Sequence, residues 1–244
     1  MLFAAPAVRA DELLVAAAAD LKFALDEIVA DFQKTHTNDT IKVTYGSSGN
    51  LSSQIENGAP FDLFFSADVQ FPKRLIETKL AGEDSLFRYA IGHVVLWVLN
   101  ESSLDVSKRG IESLLDPSVR KIAIANPQHA PYGRAAEAAL KSLGVYERVK
   151  DKLVLGENIS QTAQFVQSGA ADAGLIALSL ALSPKMKDSG LYWEVPADAY
   201  PKLEQAGVIL SRTKELELAR ALRDAVTNAH GKDILRRYGF VIPE

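Results

Sequence analysis

The chain has 244 residues, of which 48% are hydrophobic and 24% charged, and its formal net charge is −4. That balance is ordinary for a globular protein of one large α/β domain or two lobes, and it leaves no basic footprint for nucleic acid. Cysteine is absent, which removes disulfides, thiolate metal sites and thiol nucleophiles together, and no apolar run approaches the ~20 residues that span a bilayer.

The opening stretch MLFAAPAVRA is small and apolar and ends in Val8-Arg9-Ala10, a small-residue pattern like a signal-peptidase site. Residues 1–10 are therefore expected to be the remnant of a secretory signal. After Asp11, short apolar runs alternate with amphipathic stretches, the pattern of βα units on a largely parallel sheet. Leu13–Ala19 reads as a buried strand. Leu21, Ala24, Leu25, Ile28, Val29 and Phe32 then recur on one helical face, with Asp20 standing where an N-cap belongs.

The pattern repeats three times. A strand over Ile41–Tyr45 gives way to the loop Gly46–Gly49 and a helix from near Asn50, closed by Gly58. Phe61–Asp68 is a further buried strand, with Ser66 and Asp68 placed to start a helix. Arg88–Asn100 is a β-rich run long enough to pass between lobes. The stretch KIAIANPQHAPYGRAAEAALKSLG holds a strand, the loop Asn126–Gly133, a helix and the terminator Gly144. Lys152–Leu155, the loop Gly156–Asn158 and a helix from Ile159 to Gly169 form the fourth copy. Ala171–Leu182 supplies a strand, EQAGVILSR a return crossing, and the chain ends in helix.

Four times, then, a strand meets small or polar residues and a helix begins. The first N–H groups of a helix have no internal partner and carry roughly half a positive charge. Several such termini at one point make an anion site from neutral dipoles, and the serines of YGSSGNL would add hydroxyl donors. Each loop taken alone reads equally as an ordinary cap. Enzyme signatures are missing: GSSGN departs from the nucleophile elbow at Asn50, and no phosphate-binding loop, dinucleotide motif or zinc motif occurs. His36, His93, His129 and His230 lack ligand spacing, so no site for a metal cation and no catalytic set is expected.

The segments AAAADLKFALDEIVADF, YGSSGNLSSQIENGAPFDLFFSAD, NPQHAPYGRAAEAALKSLG and RRYGFVI resemble the periplasmic molybdate-binding proteins of ABC importers, from about residue 11 onward. The resemblance implies an α/β type II periplasmic-binding fold, with residues 11–89 plus 207–244 in one lobe and 90–206 in the other, and two chain crossings between them. It implies a monomeric, exported receptor that binds molybdate, and tungstate with it, in the interlobe cleft and delivers it to a membrane permease. No cofactor and no bond chemistry are implied. Carried over residue by residue, Ser48 would donate hydroxyl and N–H, Tyr132 and Ile159 would donate backbone N–H groups, and Asp20 occupies the first-loop hydroxyl position. A tyrosine that some members carry after the late strand is replaced here by Ala177, and the Tyr132 phenol is the candidate substitute.

Asp20 departs from the pattern, since members usually place Ser, Thr or Asn there. An ionised Asp only accepts hydrogen bonds, and about 4 Å from a dianion it would cost on the order of several kcal/mol at an effective dielectric of ~20. Three resolutions are open. The carboxylate caps its own helix at the N–H of residue 22 or 23; Lys22 or Arg134 neutralises it; or the ligand is a protonated oxyanion such as hydrogen phosphate. The last belongs to the alternative reading, a receptor for phosphate or sulfate. An enzyme on the same fold is the other competing class.

Overall fold

The computed structural model describes residues 11–243; the expected signal remnant at 1–10 lies outside them. Two five-stranded sheets organise the molecule. The first holds β1 (Glu12–Ala18), β2 (Thr40–Gly46), β3 (Leu63–Ser66), β4 (Phe87–Gly92) and, late in the chain, β10 (Leu203–Ile209), in the order β2-β1-β3-β10-β4. The second holds β5 (Val94–Leu99), β6 (Ile122–Ala125), β7 (Leu153–Gly156), β8 (Ala173–Ala177) and β9 (Gly190–Glu194), in the order β7-β6-β8-β5-β9. Helices α1 (Lys22–Gln33), α2 (Ser48–Glu56), α3 (Gln70–Glu77), α9 (Leu216–Thr227) and α10 (Ala229–Arg237) accompany the first sheet. Helices α4 (Val106–Arg109), α5 (Pro131–Ser142), α6 (Tyr146–Val149), α7 (Ile159–Gln167) and α8 (Leu178–Ala181) accompany the second.

Strand periodicity explains the layering. Side chains alternate across a sheet, so Leu13, Val15 and Ala17 of β1, with Leu63 and Phe65 of β3, face one way and pack on Leu25 and Ile28 of α1, Leu222 of α9 and Ile234 of α10. The intervening Ala16 and Phe64 face the other way, onto Leu51 and Ile55 of α2 and Leu75 of α3. Both faces of β1 and β3 are covered, hence their near-continuous apolar sequences. In the second lobe, Trp97, Ile122, Ile124 and Ile176 build one core with Ala136 and Leu140 of α5 and Val166 of α7.

The sheets are mixed rather than largely parallel. β1 runs parallel to β2 and β3, and β6 to β7 and β8, through right-sized βα connections. β10 is antiparallel to both β3 and β4, and β5 is antiparallel to both β8 and β9. These antiparallel strands adjoin the segments that pass between lobes, where the chain returns from the other sheet. The Arg88–Asn100 run is split as a crossing requires, with β4 ending at Gly92 in one sheet and β5 starting at Val94 in the other. The second crossing follows β9 and leads into β10. The two passages are tied together, since the Val94 N–H donates to the Tyr200 phenol at 3.1 Å and the Val195 N–H to the Val94 carbonyl at 3.1 Å.

Helix terminators match the sequence pattern: Gly58, Gly144 and Gly169 all adopt positive φ just beyond α2, α5 and α7. Helix starts differ at two places. α2 begins at Ser48, not near Asn50, because extended Ser47 is already its N-cap residue. α1 begins at Lys22 after a three-residue 3₁₀ turn, Ala19–Leu21, which moves Asp20 out of the capping position.

Candidate functional site

Five chain segments meet in the cleft between the lobes. A single small cavity is lined by Ala18, Ala19 and Asp20 after β1, by Gly46, Ser47 and Ser48 after β2, by Ala67 after β3, by Ala130, Pro131 and Tyr132 at the start of α5, and by Ile159 at the start of α7. Asp20, Ser48, Tyr132 and Ile159, the residues singled out from the sequence, thus share one cavity. The start of α2 and the 3₁₀ turn come from the first lobe, and the starts of α5 and α7 from the second. Pro131 occupies the first position of α5, where its missing N–H costs nothing. The Asn158 side chain caps α7 by accepting from the Gln161 N–H at 3.0 Å.

Ser48 is fully buried, and its hydroxyl oxygen accepts from the Ala67 N–H at 3.0 Å. A hydroxyl that accepts still has its proton to give. The space is compact, about 10 Å³ on the scale where one water needs about 10–15 Å³, against the several hundred of an organic-ligand cleft. A larger hollow of about 410 Å³ at the cleft mouth involves Asp68, Arg134, Lys202 and Glu204, but these charges pair with one another, Asp68 with Arg134 at 2.6 Å and Glu204 with Lys202 at 3.2 Å. The inner cavity, where donors converge, is the candidate site.

Asp20 is 1% exposed and does not cap a helix. Its Oδ2 accepts from the Gln205 amide Nε2 at 2.5 Å, while Oδ1 makes no hydrogen bond of ordinary geometry among the described residues. Gln205 reaches the cavity from β10 because the pairing of β10 with β4 slips between Gln205 and Ala206, a bulge that re-aims the side chain. The same amide donates to the Tyr132 phenol at 3.4 Å. Gly92 makes this meeting possible, since a Cβ there would lie 2.2 Å from the phenol oxygen and 2.7 Å from the Gln205 nitrogen. Neither proposed countercharge reaches Asp20: Lys22 pairs with Asp26 at 2.9 Å and Arg134 with Asp68. Burial therefore raises the Asp20 carboxyl from 3.8 to about 6, although Gln205, Tyr132 and the backbone N–H groups of Asp20 and Leu21 favour its charged form. Burial, with the Asp20 charge next, holds the Tyr132 phenol well above its ordinary value, so it stays a neutral donor.

The lobes are closed on one another, through contacts that sequence reading did not reveal. The Gly49 N–H donates to the His129 carbonyl at 2.9 Å, and a Cβ on Gly49 would lie 2.5 Å from that oxygen. Ser47 Oγ hydrogen-bonds His129 Nδ1 at 2.8 Å, and the other ring nitrogen faces Glu157 at 3.5 Å. Ser160 of α7 donates to the Ala19 carbonyl at 3.0 Å and Ser179 of α8 to the Asp20 carbonyl at 2.7 Å. His129, one of four histidines without ligand spacing in the sequence, is part of this clasp. Gln205, Ser160 and Ser179 carried no sequence signal, because a lone serine or glutamine in an element looks like any other.

With this geometry in hand, comparison with known proteins is decisive. Residues 13–241 match the model of a family described as bacterial extracellular solute-binding protein. The chain belongs to that family. This solute-binding protein is 37% identical to the molybdate-binding protein ModA of Rhodobacter capsulatus over 95% of its own length and 89% of the relative's. It is 31% identical to a putative ABC transporter substrate-binding lipoprotein of Bacillus subtilis, over 93% and 85% of the two chains. Among solved structures, the periplasmic molybdate-binding protein of Azotobacter vinelandii superposes with a TM-score of 0.88 at 34% identity, covering 95% of this chain and all of that one. The two-lobed type II fold follows. Among the described residues, no helix is long and apolar enough to cross a membrane.

Two expectations about closure come from these contacts. A raised carboxyl pKa favours the closed arrangement fully below about pH 4, and that support is lost as pH rises through about 6; the shift corresponds to about 3 kcal/mol at neutral pH. In small-angle scattering without ligand, the radius of gyration should increase between pH 5 and pH 8, whereas Asp20→Asn should keep its acid value. An unchanged wild-type radius would show that Asp20 does not govern closure. Gly49→Ala suits α2 itself but drives a methyl group into the His129 carbonyl, an overpacking cost of about 1–3 kcal/mol. This variant should remain extended at pH 5, and a compact one would mean that the His129 loop yields.

Proposed function

We propose that this solute-binding protein is the periplasmic receptor of an ABC importer, that it binds molybdate, and tungstate with it, and that it acts as a monomer. The observation that carries the reading is the convergence itself: helix starts from both lobes, the Ser48 hydroxyl and the Tyr132 phenol line one small cavity, and the nearby cations Lys22 and Arg134 are paired with aspartates. A tetrahedral dianion suits convergent neutral dipoles. The relatives' names supply molybdate and the transporter. In this reading Ser48 donates hydroxyl and N–H, and Tyr132 and Ile159 donate backbone N–H groups. Asp20 lies in direct contact with the ion. Sulfate and phosphate, smaller ions presenting the same charge pattern, are discriminated by cavity size.

A hydrolytic reading has one observation in its favour, the pairing of Ser47 with His129 and of His129 with Glu157. That pairing joins the two lobes, and the cavity beside it is far too small for an ester or peptide. It serves as a latch, and function here is capture and hinge closure, the ligand stabilising the state to which it binds better.

Calorimetric titration with molybdate, tungstate, sulfate and phosphate at pH 7 tests the assignment. Saturable one-to-one heats with molybdate and tungstate alone are expected; binding of phosphate or sulfate alone would replace the substrate, and turnover of an ester probe lost in Ser47→Ala would replace the class. Within the site, Ser48→Ala should weaken molybdate binding by about 1–3 kcal/mol, since it removes a donor and strands the Ala67 N–H. Wild-type affinity in this variant would move the ion away from α2.

A further inference from the structure

Asp20 poses a charge problem that the fold leaves unsolved by protein cations. The residue is buried, lines the cavity, and has one oxygen, Oδ1, that makes no hydrogen bond of ordinary geometry among the described residues. Its surroundings on every side are neutral. β10 offers the Gln205 amide, α5 the Tyr132 phenol, β4 the buried Tyr89 phenol, which donates to the Ser66 carbonyl, and α8 the Ser179 hydroxyl on the Asp20 carbonyl. α2 and its cap offer Ser48 and Ser47. The nearest charged groups, Lys22 with Asp26, Arg134 with Asp68, and His129 with Glu157, are engaged with one another.

A carboxylate here would face a bound dianion across a water-poor space with only neutral dipoles between them. A carboxylic acid would do the opposite. With Oδ2 already accepting from Gln205, the acid proton sits on Oδ1, the oxygen with no acceptor in the protein, and becomes a donor to the ion. We propose that Asp20 holds the oxyanion as a neutral carboxylic acid, so that the receptor takes up one solvent proton with each dianion it binds. The step balances: carboxylate, one proton and one dianion become carboxylic acid hydrogen-bonded to the dianion, with no change in the ion itself. The inference rests on the proposed binding of molybdate, which carries no proton of its own near neutrality.

The direction of the Asp20 shift agrees. Burial already raises its carboxyl to about 6 without a ligand, and a neighbouring dianion can only raise it further. Specificity follows from the same group. Where a hydroxyl or amide donor would bind at any pH, an acid donor makes capture strongest in acidic surroundings.

Molybdate titrations of the intact protein at pH 7, 8 and 9, each in two buffers of different ionisation heat, decide the matter. The expected result is uptake of close to one proton per ion and an affinity that falls about tenfold per pH unit, as linkage to one proton requires. Asp20→Asn, a donor with no proton to lose, should bind with a flat profile and no buffer dependence. His129→Gln should keep the wild-type slope, which separates Asp20 from the histidine that bonds Ser47 across the cleft. Binding with no proton uptake in the wild type, or a slope that survives in Asp20→Asn, overturns the inference and leaves the molybdate assignment standing. Absence of molybdate binding throughout the pH range overturns the assignment itself.

Discussion

In the function proposed above, everything depends on holding an anion by neutral groups. Among the described residues, no lysine or arginine lines the inner cavity, and Lys22 and Arg134 nearby are paired with aspartates. Attraction must come instead from the unpaired N–H groups at helix starts, each a fraction of a charge, and these fade within a turn. Several must therefore converge within a few ångströms. A single βα unit supplies one. Two sheets facing each other across a hinge supply four, and this is what the crossed topology accomplishes. The chain leaves the first sheet at Gly92, builds the second, and returns through β10 between β3 and β4.

Convergence also demands close approach of backbone to backbone, and glycine marks where. At Gly49, α2 reaches the His129 carbonyl of the opposite lobe; at Gly92, the hinge strand yields room to Tyr132 and Gln205. Neither position is a turn with positive φ. Their role is clearance, which ties local sequence to large-scale motion. A side chain at either would leave each lobe's own core intact and oppose the joining of the two. Around them, Ser47, Ser160, Ser179 and His129 make hydrogen bonds across the cleft, beside the apolar contacts of Ala18, Ala19 and Ala67 with the second lobe's core.

Local chemistry made much of this legible beforehand. The apolar runs of β1 and β3, the helical stripe Leu25–Ile28–Phe32 and the terminators Gly58, Gly144 and Gly169 all follow from periodicity and backbone sterics that act within ten residues. The split of Arg88–Asn100 between sheets was readable from its length. What escaped was non-local. No nearby residue dictates that β10 runs antiparallel, or that a slip at Gln205 turns an amide into the cavity. Asp20 was misassigned as a cap for a related reason: capping statistics assume the helix starts at the next residue, and a 3₁₀ turn moved that start to Lys22. His129 was set aside because its partners lie 82 and 28 positions away in sequence, at Ser47 and Glu157.

A buried acid at the first loop also bears on why the lobes part. An asparagine or serine would donate to the ion equally well and would be content in the closed, dry cleft. Asp20 is not, because above about pH 6 its burial is opposed by the solvation it gives up, and Gln205 and Tyr132 recover only part of that. The ligand-free protein is thereby biased toward an arrangement in which the carboxylate meets water. On the proposal made above, arrival of a dianion reverses the preference, because the proton it draws onto Asp20 removes the charge that opposed closure and supplies a donor in its place. One side chain thus weakens the closed state when it is empty and supports it when it is filled. That difference between the two states, rather than the number of hydrogen bonds in either, is what a receptor needs in order to signal occupancy through its shape.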